Sequence, residues 1–142
     1  MVENKSGRMS SIARRLVYIA AATLLVGMAI AIVVVVRAVN RSLVAEENFQ
    51  AFFHAQQATV AYVEQYDGRW PRSWDHLRAV RPKADFDWVA EHVSFDFAAD
   101  PDEVVDQTPE TFTAIEPDRP CFRIDDLVQS LIDTLRKHRK ID

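Results

Sequence analysis

The carboxylates between residues 85 and 106 are the densest group of side chains suited to chemistry in this sequence. Asp96, Asp100 and Asp102 could converge at a turn between a strand and a helix, and their oxygens are the ligands that a hard cation such as Ca²⁺ prefers. Their spacing does not fit the D-x-D-x-D-G calcium loop, and helix capping or loop solvation explains the same residues. The sequence therefore predicts no metal site, with calcium binding as an alternative.

Other candidates for catalysis are few and scattered. The four histidines, at positions 54, 76, 92 and 138, form no H-x-x-x-H or H-E-x-x-H metal motif. The only cysteine, Cys121, stands between Pro120 and Phe122, and we expect a small strand residue rather than a reactive thiol. Three glycines are too few for a Gly-rich phosphate loop. The sequence thus predicts neither an enzyme nor a cofactor.

An uncharged apolar run from Leu16 to Val36 is the element that must position everything else. Only Thr23 and Gly27 among its 21 residues fall outside the apolar set. As a helix it would be about 31 Å long, which matches a hydrocarbon core of about 30 Å. A cleaved signal peptide has a shorter apolar region, so we expect an uncleaved transmembrane helix over residues 16–36 in contact with the lipid bilayer.

The basic residues beside this run predict its orientation. Four of them precede it and two follow it closely, which favours a cytoplasmic N-terminus over residues 1–15. Residues 37–142 would then form an extracytoplasmic domain anchored in the bacterial inner membrane. That domain is acidic, with 13 basic and 20 acidic residues, and the whole chain has a net charge of −4. This balance argues against nucleic-acid binding.

Two features are candidate contact surfaces for a partner. Thr23, Gly27 and Ala31 recur every four residues, so one face of the membrane helix is small enough for another helix to approach. Beyond the run, five aromatic residues form candidate contacts with a membrane or envelope protein: Phe49, Phe52, Phe53, Trp70 and Trp74. Packing of these rings within their own domain is the alternative, because a small domain needs large side chains to build a core.

The remaining elements predict an α+β fold. An amphipathic helix is expected over residues 37–66, with Gly68 as its C-terminal cap. Capping residues predict short helices from Ser73 to Ala79 and from Asp100 to Gln107, and a closing helix from Asp125 or Asp126. Alternating or β-rich segments predict a small antiparallel sheet from strands at residues 93–97, 112–115 and 121–124.

The segment from Tyr62 to Leu77 resembles the region that closes the long helix in type II secretion pseudopilins and related pilin-like proteins. Gly68, Trp70, Pro71, Ser73 and Leu77 carry the resemblance. It implies a pilin-like domain, with a long N-terminal helix packed on a small sheet. Residues 10–15 lack the Gly-aromatic cleavage site of pseudopilins, and the apolar run lacks their acidic residue.

Two functions follow from these features. The first is a single-pass membrane-anchored structural or interaction protein with an extracytoplasmic pilin-like domain, which binds a membrane or envelope protein or associates with itself through the membrane helix. The alternative is a minor pseudopilin-like subunit of a type II secretion or type IV pilus system.

Overall fold

The computed structural model describes residues 11–121 and 124–139. Its elements, in chain order, are α1 (Ser11–Gln65), α2 (Trp74–Val80), α3 (Phe86–Ala90), β1 (Val93–Phe95), α4 (Pro101–Val105), β2 (Ile115–Pro117) and α5 (Asp125–Arg139). The predicted α+β fold is confirmed: a long N-terminal helix, a small antiparallel sheet, short helices and a C-terminal helix. The chain divides into two compact units, Met1–Arg41 and Ser42–Asp142.

In the first unit, α1 begins at Ser11 and carries the whole apolar run. A run without charge, Pro or helix-interrupting polar residues suits a helix, because every backbone N–H and C=O is satisfied within the segment. The large apolar side chains of the run all lie exposed in the single chain, between 49% and 72% of their full surface.

In the second unit, the remainder of α1 has one buried face. Its buried residues recur every three or four positions, as an amphipathic helix requires: Asn48, Ala51, Phe52, Ala55, Gln56, Ala58, Thr59, Tyr62 and Val63. The helix ends at Gln65, one residue before the predicted end. Gly68 then adopts φ +81° and its N–H donates to the Val63 carbonyl at 2.9 Å. The predicted glycine cap is confirmed.

Two short helices follow. Ser73 precedes α2 as predicted, although its side chain makes no capping hydrogen bond. The helix α3 is not anticipated by the sequence, since five residues are too few to display a helical period. Its start is nevertheless capped, because the Asp85 carboxylate accepts a hydrogen bond from the Trp88 N–H at 3.1 Å.

The sheet is smaller than predicted. Two strands pair antiparallel, with Val93 opposite Pro117 and Phe95 opposite Ile115. The first strand begins where expected but stops at Phe95, because the Asp96 carboxylate accepts from the Ala98 N–H and turns the chain. The prediction of a strand over residues 112–115 is wrong except at Ile115. The side chain of Phe112 is buried, but the residue does not pair with the other strand of the sheet.

The third predicted strand, over residues 121–124, lies partly outside the described residues, which exclude positions 122 and 123. Cys121 itself is described and does not belong to a strand, so its assignment as a strand residue is wrong.

The last two helices pack on each other. Asp100 caps α4 through a 2.9 Å hydrogen bond from the Asp102 N–H, as predicted, but α4 ends at Val105 rather than Gln107. The closing helix α5 begins at Asp125, as predicted. Arg136 of α5 donates to the last carbonyl of α4, that of Val105, at 3.1 Å. This bond satisfies a carbonyl that the short helix cannot pair internally.

Candidate functional site

The apolar run of α1 is the first candidate site, and its surface is compatible with that of a membrane-spanning helix. Length and composition make α1 the single helix among the described residues that is apolar enough to cross a membrane. Large side chains such as Leu25 and Ile32 are exposed on every side of the helix among the described residues. A helix that is apolar all round is stable in lipid and costly in water. The anchor is therefore compatible with a single membrane crossing.

The predicted packing stripe of the membrane helix is open. Thr23, Gly27 and Ala31 all lie exposed. The Thr23 hydroxyl donates to the Ile19 carbonyl at 2.9 Å, which satisfies this hydroxyl within its own helix. A Cβ added at Gly27 would meet no atom within 4 Å. The stripe therefore has room for a second helix, and pairing through it stays a prediction.

The predicted aromatic surface divides into buried and half-buried rings. Phe52 is fully buried in the core of the second unit, so it is not available to a partner. Phe49 and Phe53 are half-buried, and their rings stack with centroids 6.4 Å apart. The three residues differ in burial because Phe52 lies on the face of α1 that its own domain covers. The assignment of Phe52 to a partner surface is wrong.

Trp70 is likewise a core residue. It is 2% exposed, and its Nε1–H donates to the Asp96 carbonyl at 2.8 Å. Burial of an indole requires such a partner, because its N–H would otherwise lose its hydrogen bond to water. The bond ties the chain after α1 to the end of β1. The assignment of Trp70 to a partner surface is therefore also wrong.

Trp74 lies at the edge of the same aromatic cluster. It is half-buried, and its ring makes edge contacts with Phe95 and Phe97, at centroid distances of 5.5 and 5.2 Å. It also lies 6.0 Å from the ring of Phe86 in α3. The aromatic residues thus build the core, as the alternative proposed. Of the predicted surface, Phe49, Phe53 and Trp74 keep exposed area.

An arrangement of Tyr62 and His76 is not evident in the sequence. The two rings stack with centroids 5.3 Å apart, and the Tyr62 hydroxyl lies 3.2 Å from His76 Nδ1. The Arg72 N–H donates to the same nitrogen at 3.1 Å. Because Nδ1 accepts this bond, the hydrogen-bond pattern places the proton of the neutral ring on Nε2. The imidazole of His76 in α2 thus contacts both α1 and the segment between the two helices. No local pattern in the sequence predicts this arrangement.

Two buried polar residues of α1 have hydrogen-bond partners, one distant in the sequence and one a single turn away. Gln56 is 1% exposed and its side-chain amide donates to the Leu127 carbonyl at 3.0 Å. Thr59 donates to the Ala55 carbonyl at 2.8 Å. In the sequence both residues only interrupt an apolar stripe. In the fold, Gln56 links α1 to the third residue of α5.

The carboxylates that suggested calcium have local roles. Asp96 and Asp100 accept hydrogen bonds from the backbone N–H groups of Ala98 and Asp102, both at 2.9 Å. Across residues 11–121 and 124–139 no group of three or more His, Cys, Asp or Glu side chains is placed to hold a metal ion. The calcium alternative thus finds no support in the part of the chain that the structure describes.

The shifted ionisable groups lie at the surface of the second unit. A hydrogen bond from the Thr108 hydroxyl to Glu110 lowers the pKa of that carboxyl group. A hydrogen bond to Asp75 raises the pKa of Arg78, which also pairs with Asp87. Partial burial raises the pKa of the Cys121 thiol, which keeps it protonated and less nucleophilic near neutral pH. Each shift has an ordinary structural cause.

Comparison with family models, with curated protein sequences and with solved structures finds no match to this chain.

Proposed function

We propose that this chain is a single-pass membrane-anchored interaction protein with a cytoplasmic N-terminus and a pilin-like extracytoplasmic domain. The proposal rests on one observation: the large apolar side chains from Leu16 to Val36 are exposed around the whole helix. In water that surface would cost about 25 cal/mol per Å². A bilayer removes this cost, and the domain beyond the run then acts from a fixed position at the membrane.

The orientation is supported by the flanking charges. Lys5, Arg8, Arg14 and Arg15 precede the run, whereas Arg37 and Arg41 follow it. Basic residues within about 15–20 positions of a membrane helix favour the cytoplasmic side. The domain then faces the outside of the bacterial inner membrane.

The role of the domain is to bind rather than to catalyse. Its carboxylates cap helices and turns, and its histidines are half-buried and dispersed. Phe49, Phe53 and Trp74 are aromatic rings with exposed area, and such side chains are favoured at protein interfaces. We propose that they contact a membrane or envelope protein.

Cysteine labelling tests the orientation, because the chain has a single cysteine that can be removed. In a Cys121→Ser background, Ser94→Cys places a thiol at an exposed position of β1, and Ser6→Cys places one before the apolar run. A membrane-impermeant maleimide should label Ser94→Cys in intact spheroplasts. It should label Ser6→Cys only after the membrane is permeabilised.

Labelling of Ser6→Cys alone in intact spheroplasts would refute the orientation. Release of the full chain by alkaline carbonate would refute the anchor. Labelling of both variants after permeabilisation is the control that the thiols are reactive.

Self-association through the membrane helix is tested separately. Gly27→Ile adds a side chain where the single chain leaves open space, so the variant should affect only a second helix. We expect a lower crosslinked dimer fraction in native membranes. Ala29→Ile, two residues along and on another face, is the matched control and should leave that fraction unchanged. Equal loss in both variants would exclude the Thr23–Gly27–Ala31 face.

A minor pseudopilin-like subunit is the second candidate. It is supported by the local layout of the resembling segment, in which Gly68 follows the end of α1, Trp70 two residues later is buried and Leu77 is buried on α2. Processing distinguishes the two functions. Mass spectrometry of the native N-terminus should find cleavage close to Arg15 if the chain is a pseudopilin, and an intact N-terminus if it is not.

A further inference from the structure

A depression of about 350 Å³ in the second unit has a lining unlike the rest of that unit. It lies between His54 of α1 and the chain from Val80 to Ala84 that follows α2. Val80, Pro82 and Ala84 supply apolar surface, and Arg81 and Lys83 supply positive charge. The volume is at the lower end of the range for small-molecule sites, about 300–1,000 Å³.

The charges of this lining contrast with those of the domain. Residues 42–142 contain 11 basic and 20 acidic residues, yet none of the described carboxylates lines this depression. Arg78, Arg136 and Arg139 are each paired with Asp side chains. Arg81 and Lys83 have no such ion pair among the described residues. Arg81 and Lys83 therefore line the depression without an acidic side chain beside them in the part of the chain that the structure describes.

The backbone holds these two residues in place. The Arg81 N–H donates to the Leu77 carbonyl at 3.0 Å, and the Ala84 N–H donates to the Arg81 carbonyl at 3.2 Å. The second bond closes a four-residue turn with Pro82 at its second position, where the fixed φ of proline suits the turn. A cation pair on a closed turn loses less conformational entropy on binding than a pair on an open loop.

We propose that this depression binds a small organic carboxylate with a short apolar body. The Arg81 guanidinium suits a carboxylate because its planar fork can donate two parallel hydrogen bonds. Lys83 adds a second positive charge, and Val80, Pro82 and Ala84 contact the apolar body. The site lies within Ser42–Asp142, and the inference does not depend on the orientation of the anchor.

Hexanoate is the probe, titrated into the full chain in phosphatidylcholine nanodiscs. We expect saturable shifts of the His54 and Ala84 backbone amide resonances. Acetate, which lacks the apolar body, and hexanamide, which lacks the charge, should each bind at least about fivefold more weakly, as expected for loss of one partly solvated contact.

A double variant locates the binding. Arg81→Gln/Lys83→Gln should weaken hexanoate binding by about fivefold or more. Arg69→Gln/Arg119→Gln removes two exposed charges that do not line the depression and is the matched control, which should bind as the native chain does. If the first double variant fails to fold, as judged by tryptophan fluorescence, the hexanoate affinity of the single variant Lys83→Gln replaces it as the test. This substitution should not disturb folding, because the Lys83 side chain is exposed.

The inference is overturned if the native chain shows no saturable shift, or if acetate or hexanamide binds as tightly as hexanoate. It is also overturned if the Arg81/Lys83 and Arg69/Arg119 variants lose the same affinity, because binding would then reflect general charge.

Discussion

The two units of this chain use apolar residues in opposite ways, although α1 contributes to both. From Leu16 to Val36 the helix has no charged residue and its large side chains are exposed on all sides. From Asn48 to Val63 the buried residues are confined to one face, and the remaining positions are half-buried or exposed and include polar residues such as Gln50 and Gln57. The distribution of apolar residues around the helix, and not only their number, therefore indicates whether a segment suits lipid or a packed core.

Both segments nevertheless treat a threonine hydroxyl in the same way. Thr23 donates to the Ile19 carbonyl at 2.9 Å, and Thr59 donates to the Ala55 carbonyl at 2.8 Å. Neither a bilayer nor a packed core offers water to an isolated hydroxyl, so each bonds one turn back along its own helix. The two segments therefore pair their threonine hydroxyls in the same way, although they distribute apolar residues differently around the helix.

The largest expected effect comes from a substitution on the buried face of α1 in the second unit. Phe52→Ala should destabilise that unit by about 3–5 kcal/mol, because it removes a fully buried ring and leaves a cavity. Denaturant unfolding of the full chain in nanodiscs measures this by tryptophan fluorescence, since all three tryptophans lie in Ser42–Asp142. Phe53→Ala, with a half-buried ring, should cost less than half as much. Equal costs would contradict the assigned helix face.

The next effect breaks the exposed apolar surface of the first unit. Leu25→Arg should raise the apparent free energy of membrane insertion by about 2.5–3.5 kcal/mol, because the charge falls near the centre of the run. The measurement is the fraction of full chain integrated by a translocon. Leu43→Arg alters a similarly exposed leucine beyond the run and is the control. A comparable loss for Leu43→Arg would show that the run has been placed incorrectly.

A glycine pair sharpens the comparison with a smaller effect. Gly68→Ala should destabilise the second unit by about 1–2 kcal/mol, because φ there is +81°. A Cβ would also lie 3.0 Å from His138 Cβ. Gly27→Ala has neither obstacle, so it should leave unfolding of the second unit unchanged. Fluorescence-detected unfolding checks both, and an unaffected Gly68→Ala would contradict the glycine cap of α1.

The smallest effect concerns pH and a surface carboxyl group. The Thr108 hydroxyl lowers the pKa of Glu110 in the folded chain below its ordinary value of 4.5. The carboxylate therefore stabilises the fold above pH 4.5, and this contribution is lost as the pH falls through the lowered pKa. Thr108→Val should raise the pKa of Glu110, as measured by NMR titration of its side-chain carboxyl carbon.

Thr113→Val removes another exposed hydroxyl and should leave that titration unchanged. A Glu110 titration that is the same in the Thr108→Val and native chains would exclude the Thr108 hydroxyl as the cause of the shift.

The sequence by itself determined the features whose signals are local or periodic. The apolar run, the stop at Gly68, the Asp100 cap and the start of α5 at Asp125 each depend on residue types a few positions apart. Helix periodicity and capping depend on residues within one or two turns, so these features can be predicted from a single sequence.

Only the tertiary structure decided which aromatic residues are covered and what buried polar groups bond. Trp70 reaches the carbonyl of Asp96, and Gln56 reaches that of Leu127, 71 positions away. The strand β2 begins at Ile115 because that residue meets Phe95 across the ladder. These outcomes depend on contacts between distant segments, and an aromatic residue at helical spacing has the same local signal whether its face is covered or open.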